Sequence, residues 1–185
     1  MSATANPRSA IGAFSAAAND VLSAANATRS CGRLGPAKQG STVPVKVELA
    51  DCGAACLAMT LAYHGRHAGL EELRDATATG REGADARGIV EAARAYGLSA
   101  RGVKADIHEL GHLPRGSILH WEFRHFVVFD RVTRRGIHVV DPAAGRARIP
   151  LERFRRSYTG VAIALEPGAD WVTGGHRAKG GFRYL

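Results

Sequence analysis

The sequence predicts an α+β domain in which a group of helices comes first and an antiparallel sheet follows. Apolar residues recur at helical spacing between residues 54 and 96, and after Leu98 the pattern changes to the short apolar runs of strands. Two of these runs are joined by Thr133-Arg134-Arg135-Gly136, a turn signal that favours a hairpin. Because the helical and strand patterns do not alternate, we expect separate layers rather than repeated βαβ units.

Four helices and five strands are expected from these patterns. Residues 54–64 are apolar nearly all round and Gly65 follows them, which predicts a buried central helix with a glycine stop. Residues 70–77 and 86–96 have amphipathic patterns, and residues 151–156 form a short fourth helix. The strands are expected at about residues 99–104, 117–122, 125–132, 136–140 and 159–165.

The composition divides the chain into three parts. Residues 1–42 are rich in Ala, Ser and Gly, and we expect one amphipathic helix followed by a linker. The apolar stripe of that helix consists of Ile11, Phe14, Val21 and Leu22. Residues 43–170 predict one compact domain, and residues 171–185 predict a basic flexible tail. The tail contains Gly174-Gly175 and Gly180-Gly181, which we interpret either as flexible tail residues or as sites of self-processing.

The positive charge of the chain does not indicate a nucleic-acid partner. The net charge is +8, but residues 1–42 and 171–185 carry +3 each, and residues 43–170 carry only +2. The excess therefore lies in the tails, where a solvated segment is the simplest interpretation. No apolar run is long enough for a membrane span and no secretory signal pattern is present, so we expect a cytoplasmic protein.

The cysteines and histidines do not show the spacing of a metal site. The three cysteines, at positions 31, 52 and 56, form no CxxC pair and no disulfide framework. His108 and His112 have i,i+4 spacing but lack a third ligand beside them. We therefore expect neither a metal ion nor a cofactor.

Cys52 is the candidate nucleophile. Asp51 stands where a helix N-cap belongs, which would make Cys52 the first helical residue. The positive end of the helix dipole stabilises a thiolate there, and the free N–H groups can receive an anion. We expect Gly53 to leave room for a substrate backbone beside the thiol. Cys56, one turn later, is expected to be a buried structural thiol.

His125 and Asp141 are the candidate partners of that thiol. His125 begins one strand of the predicted hairpin, and Asp141 ends the other strand, immediately before Pro142. A hairpin folded near Arg134 brings the imidazole and the carboxylate within reach of each other. The carboxylate can then hold one ring nitrogen so that the other faces a thiol. His120 is the rival base, and we expect it to pack beside the site.

With these residues assembled, the segment from about Val43 to Pro167 resembles the bacteriocin-processing, double-glycine leader peptidase family. These are papain-like cysteine peptidases, usually the cytoplasmic N-terminal domain of peptide-exporting ABC transporters. The variety fused to exporters of nitrile-hydratase-like leader peptides is nearest. The motifs that carry the resemblance are DCGAACLAM at 51–59, LAYHG at 61–65, HFVV at 125–128, DPA at 141–143 and the closing segment from Phe154 to Gly160.

The resemblance implies a papain-like fold and an endopeptidase that cuts after a Gly-Gly or Gly-Ala pair at the end of a leader. Carried over to this sequence, Cys52 is the nucleophile, His125 is the general base and then acid, and Asp141 orients the imidazole. The implied partners are a precursor peptide with an amphipathic leader helix and the membrane and ATPase parts of an ABC transporter. Such a domain works at the inner face of the cell membrane.

One position departs from the family pattern. The family usually has a glutamine six residues before the cysteine, and its amide forms the oxyanion hole with the backbone N–H of the cysteine. This sequence has Lys46 there, paired in that role with Cys52. Loss of one such donor costs about 10²–10³ in turnover. The alternatives are therefore an active peptidase, a degenerate domain that binds a leader without cutting it, and another papain-like acyl transferase.

Overall fold

The structure, a computed structural model, describes residues 51–79 and 83–174. The predicted helix and linker of residues 1–42, Lys46 and residues 175–185 lie outside this part of the chain. Within it, the elements in chain order are α1 (Cys52–Tyr63), α2 (Leu70–Ala76), α3 (Ala86–Ala95), β1 (Leu98–Lys104), a 3₁₀ turn (Leu110–His112), β2 (Ile118–Trp121), β3 (His125–Thr133), β4 (Gly136–Asp141), β5 (Gly145–Ile149), α4 (Leu151–Ser157) and β6 (Tyr158–Pro167).

The six strands form one sheet in the order β1-β6-β2-β3-β4-β5, and all neighbouring strands are antiparallel. The last strand, β6, lies between β1 and β2, so the first and last strands are neighbours in the sheet. The predicted α+β architecture and the predicted β3–β4 hairpin are confirmed. Of the helices that precede the sheet in sequence, α1 packs on β3 and α3 packs on β1, whereas α2 packs on α1 and α3.

One apolar cluster packs on each face of the sheet. In α1, residues 52–61 are all buried, as expected of a central helix that is apolar all round. Side chains of this helix pack with Phe126 and Val128 of β3. Val127 and Phe129 alternate with them and belong to the second cluster, on the opposite face. The clusters therefore fix the start of α1 against the strand that begins at His125.

Strand β5 is absent from the sequence prediction. Its residues, Gly145–Ile149, pair with β4 and alternate in burial, with Arg146 and Arg148 exposed. Pro142 was interpreted as the end of strand structure, and two arginines in five residues give a weak strand signal. The chain instead turns at residues 142–144 and continues the sheet by one more strand.

The segment after β6 also differs from the expected flexible tail. Trp171 Nε1 donates to the carbonyl oxygen of His64 over 3.3 Å. The Gly174 N–H donates to the Gly65 carbonyl over 3.0 Å, and its own carbonyl accepts from the His67 N–H at the same distance. Residues 171–174 are therefore bound to the loop that follows α1.

The turn between β2 and β3 is strained and leads directly into His125. Its central residues, Glu122 and Phe123, have φ values of 48° and 60°, as in a type I′ turn. Asn and Gly favour such a turn because other residues pay a steric penalty at positive φ. Ser157 holds Glu122 by a 2.9 Å hydrogen bond to its carboxylate and by accepting its backbone N–H over 2.7 Å.

We expect Phe123→Gly to raise the free energy of unfolding by about 1 kcal/mol, because it relieves the positive φ. The side chain of Phe123 is 84% exposed, so its removal loses little packing. Urea denaturation of both proteins measures the change. Arg124→Gly is the control, because Arg124 is also exposed but does not have a positive φ. Equal destabilisation by the two glycines would contradict the prediction.

Candidate active site

Cys52 is the first residue of α1 and is 4% exposed. Its position at the helix N-terminus agrees with the sequence prediction. The predicted role of Gly53 does not: a Cβ there would lie 2.8 Å from Ile89 Cδ1 and 2.9 Å from Ala84 Cβ. The missing side chain therefore allows α1 to pack closely against the region of α3, rather than leaving room for a substrate.

Asp51 does not cap α1, so the predicted capping bond is wrong. Its side chain makes no cap hydrogen bond, and its backbone is already helical. The carboxylate instead accepts two hydrogen bonds from Arg74 of α2, over 2.7 Å from Nε and 2.5 Å from Nη2. The Asp51 side chain is only 7% exposed, so this is a nearly buried bidentate ion pair. Arg74 also pairs with Glu71, on the solvent side.

This ion pair changes the electrostatics beside the candidate nucleophile. A carboxylate adjacent to Cys52 would disfavour the thiolate by like-charge repulsion. The guanidinium of Arg74 offsets that charge at hydrogen-bonding distance. The sequence does not predict this contact, because Arg74 is 23 residues away and its charged helix face is expected to be exposed to solvent.

His125 and Asp141 lie together as the hairpin register predicts. His125 Nε2 is 3.1 Å from Asp141 Oδ1. The same oxygen accepts the backbone N–H groups of Ala143 over 2.8 Å and Ala144 over 3.3 Å, so the turn after β4 orients the carboxylate. Burial raises the pKa of Asp141, but the hydrogen bonds from His125 and Ala143 outweigh it and leave the pKa below its usual 3.8.

The His125 ring also interacts with the Cys52 thiol. Nδ1 is buried and has no hydrogen bond of regular geometry within the described part of the chain. Burial lowers the pKa of His125, but the interactions with Asp141 and with the Cys52 thiol outweigh it and raise the pKa to about 9. The imidazole is therefore protonated at neutral pH, as a ring held between two anionic or polarisable groups should be.

This raised pKa predicts a specific dependence of stability on pH. A histidine whose pKa rises from 6.5 to about 9 on folding stabilises the fold fully below pH 6.5, and this contribution is lost as the pH rises through 9. We expect the stability advantage of the native protein over His125→Gln to fall by on the order of 3 kcal/mol across this range. Urea unfolding at pH 6, 7.5 and 9.5 measures it.

The matched control is His108→Gln, because His108 is exposed and lies outside the site. The same substitution there measures the part of the effect that does not depend on the contact with Asp141. A pH-independent difference for His125→Gln would contradict the ionised imidazole described above.

The remaining candidates take no part in the His125–Asp141 hydrogen bond. Cys56 is fully buried, as predicted, and its thiol donates to the Phe126 carbonyl over 3.3 Å. Burial raises the pKa of the Cys56 thiol well above its ordinary value. His120 Nδ1 lies 3.0 Å from Thr159 Oγ1, so this ring packs on a neighbouring strand. In residues 51–79 and 83–174, no three His, Cys, Asp or Glu side chains are placed to hold a metal ion.

The arrangement indicates a class of protein: a buried helix that starts at a cysteine, with a histidine–aspartate pair on an antiparallel hairpin, is what a papain-like cysteine peptidase requires. Residues 42–170 match the Peptidase C39 family. The chain belongs to this family, whose members are cysteine peptidases. The papain-like fold and the resemblance stated from the sequence are confirmed.

Known proteins similar to the chain share the same region. The probable microcin-H47 secretion/processing ATP-binding protein MchF of Escherichia coli is 38% identical over 132 residues, which cover 70% of this chain and 19% of MchF. A double glycine motif protease from an AMS/PCAT transporter, solved in complex with the leader peptide, is 38% identical with a TM-score of 0.63, and covers 68% of this chain and 91% of its own. The peptidase domain of Streptococcus ComA is 30% identical with a TM-score of 0.62, and covers 66% and 95%.

The chain therefore spans about a fifth of the length of the curated transporter relatives it matches. In the part of the chain that the structure describes, no helix is both long and apolar enough to cross a membrane.

Proposed function

We propose that the chain is a cysteine endopeptidase that removes the leader from a ribosomally made peptide, cutting after a Gly-Gly or Gly-Ala pair during maturation and export. The observation that carries this proposal is the hydrogen bond between His125 and Asp141. The same imidazole also interacts with the Cys52 thiol. Membership of the Peptidase C39 family supports the reaction class.

In this reaction the Cys52 thiolate attacks the carbonyl carbon of the second small residue. The carbonyl oxygen becomes an oxyanion, for which the Cys52 backbone N–H and Lys46 are the proposed donors. His125, protonated at neutral pH, gives its proton to the leaving amine as the peptide bond breaks. The neutral imidazole then takes a proton from water, which attacks the acyl-enzyme and releases the leader and the thiolate. Asp141 orients the ring and stabilises its charged form.

The partners follow from the relatives rather than from the site. The solved double glycine motif protease was captured with a leader peptide, and MchF is a secretion and processing protein. We propose a precursor with an amphipathic leader helix as the substrate, and transporter membrane and ATPase parts as partners at the cytoplasmic side of the membrane. Residues 43–170 are then the peptidase domain, with residues 1–42 as an extension and 171–185 as a basic tail.

A second candidate function is a peptidase-like domain that binds the leader for export without cutting it. The observation that favours it is Lys46, which stands where the family usually places the oxyanion-hole glutamine. The long flexible stem of a lysine positions its donor less well than an amide does, and the transition state gains less from it.

Incubation with a fluorescent Gly-Gly leader peptide, followed by mass spectrometry, separates the two functions. We expect the native protein to release the leader after the glycine pair, and Lys46→Gln to increase kcat by about 10-fold or more by restoring the amide donor. Lys104→Gln is the control, because Lys104 is an exposed residue at the end of β1. A native protein that binds the peptide but cuts it only after Lys46→Gln would establish the second function.

A further inference from the structure

A cavity of about 240 Å³ opens on the outer strands of the sheet. It lies over β3, β4 and β5, and none of the proposed catalytic side chains lines it. The charged and titratable side chains that line it are Asp130, Arg131, His138, Arg146 and Arg148. A cavity of this size has room for a carboxylate-bearing side chain together with several waters.

The strand register shows which face of the sheet this cavity occupies. Val140 pairs with Arg146, and His138 pairs with Arg148, so these four side chains project from one face. Val140 belongs to the apolar cluster that contains Cys52. The cavity therefore lies on the face of the sheet against which α1 packs. Its lining residue Val140 directly precedes Asp141 in β4.

The charges around the cavity are unbalanced. Asp130 is the only carboxylate among the lining residues, and Arg131 Nη1 already binds it at 2.6 Å. Arg146 and Arg148 add two guanidinium groups, and Arg148 makes no ion pair within residues 51–79 and 83–174. Burial and the charges of Arg131 and Arg148 lower the pKa of His138, which agrees with an excess of positive charge at this place.

We propose that this cavity is a subsite for an acidic side chain, Asp or Glu, of the precursor peptide. The inference rests on the proposed function, because the proposed occupant is part of the peptide that Cys52 would cut. An extended peptide advances about 3.3 Å per residue, so a few residues connect the proposed catalytic groups with the cavity. Guanidinium groups match a carboxylate by paired hydrogen bonds, and Arg148 forms no ion pair with the other described residues.

The experiment measures binding apart from cleavage, with the full 185-residue chain carrying Cys52→Ala. The probes are fluorescent Gly-Gly leader peptides in which every acidic residue is Gln, and a series that restores a single Glu at each position in turn. We expect at least one Glu position to lower Kd about 5-fold, as one ion pair of about 1 kcal/mol would. Adding Arg148→Glu should abolish that preference, and a Lys at the same peptide position should then bind more tightly than Glu.

Arg153→Glu is the matched control, because Arg153 is exposed on α4 and gives the same change in net charge. It should keep the preference for Glu. The proposal is overturned if no Glu position improves binding, if Arg153→Glu removes the preference equally, or if Arg148→Glu weakens binding of inorganic phosphate or phosphatidylglycerol vesicles but leaves the peptides unaffected. Cleavage of the same peptides by the protein with Cys52 intact reports separately on the proposed function.

Discussion

Replacing Cys52 with alanine is expected to lower leader cleavage by at least about 10⁴-fold while leaving the Kd for the leader peptide within twofold, because the nucleophile contributes to the reaction and not to leader docking. His125→Ala should cause a loss of similar size, since the thiolate and the leaving amine both depend on the imidazole. The two losses should not add in the double variant, because the residues act as one unit. Single-turnover kinetics on a Gly-Gly peptide measure all three.

Substitutions of Asp141 test the effect of its charge on His125 separately from the effect of its hydrogen bond. Asp141→Asn keeps an acceptor for His125 Nε2 but removes the charge that helps to raise the pKa of His125 to about 9. We expect a loss of about 10-fold in kcat for Asn, and of at least about 10²-fold for Asp141→Leu, which also removes the hydrogen bond. The Asn variant should also show its pH–rate profile displaced to lower pH on the alkaline side.

The control for these variants is Cys56→Ala, which removes the second described thiol one turn along the same helix. It should retain cleavage, because Cys56 is fully buried and donates to a backbone carbonyl. Loss of thiol labelling in Cys56→Ala, with normal labelling in Cys52→Ala, would reverse the assignment of the nucleophile.

The second large effect is expected at Arg74. Arg74→Gln leaves the carboxylate of Asp51, 7% exposed, without the cation that binds it through two nitrogens. We expect the free energy of unfolding to fall by about 2 kcal/mol, less than for a fully buried pair because Arg74 is 22% exposed. Loss of the Arg74 cation beside the Asp51 carboxylate should also move the pH profile of Cys52 alkylation by iodoacetamide to higher pH.

Two comparisons isolate the role of this ion pair. Asp51→Asn combined with Arg74→Gln removes both charges, and it should restore the alkylation profile even if stability stays low. Arg87→Gln removes the exposed partner of Glu91 on α3, where we expect little change in stability and no change in alkylation. An alkylation profile that Arg74→Gln leaves unchanged would mean that the pair only supports the fold.

Much of this molecule could be predicted from local patterns in the sequence. Helix α1 and the β3–β4 hairpin were expected because their apolar periods and the turn between Thr133 and Gly136 are local signals. The contact of His125 with Asp141 followed from the hairpin, since the register of two neighbouring strands determines which residues face each other.

The features that could not be predicted depend on distant partners. Asp51 is predicted to be an N-cap because Asp is common at that position. Arg74, 23 residues away, binds its carboxylate instead. Strand β5 has weak local preference and is held by its pairing with β4. The place of β6 between β1 and β2 depends on which edges remain unpaired after the other strands have formed, and a sequence pattern does not show this.

The hydrogen bonds of Gly174 also bear on any self-processing at this position. This glycine is bound at Gly65, past the end of α1, whereas Cys52 starts the same 12-residue helix, about 18 Å away. A molecule would have to break both backbone bonds of Gly174 to present that segment to its own thiol. A cut beside Gly174, by the thiol of the same molecule or of another, therefore has to wait until these two bonds open.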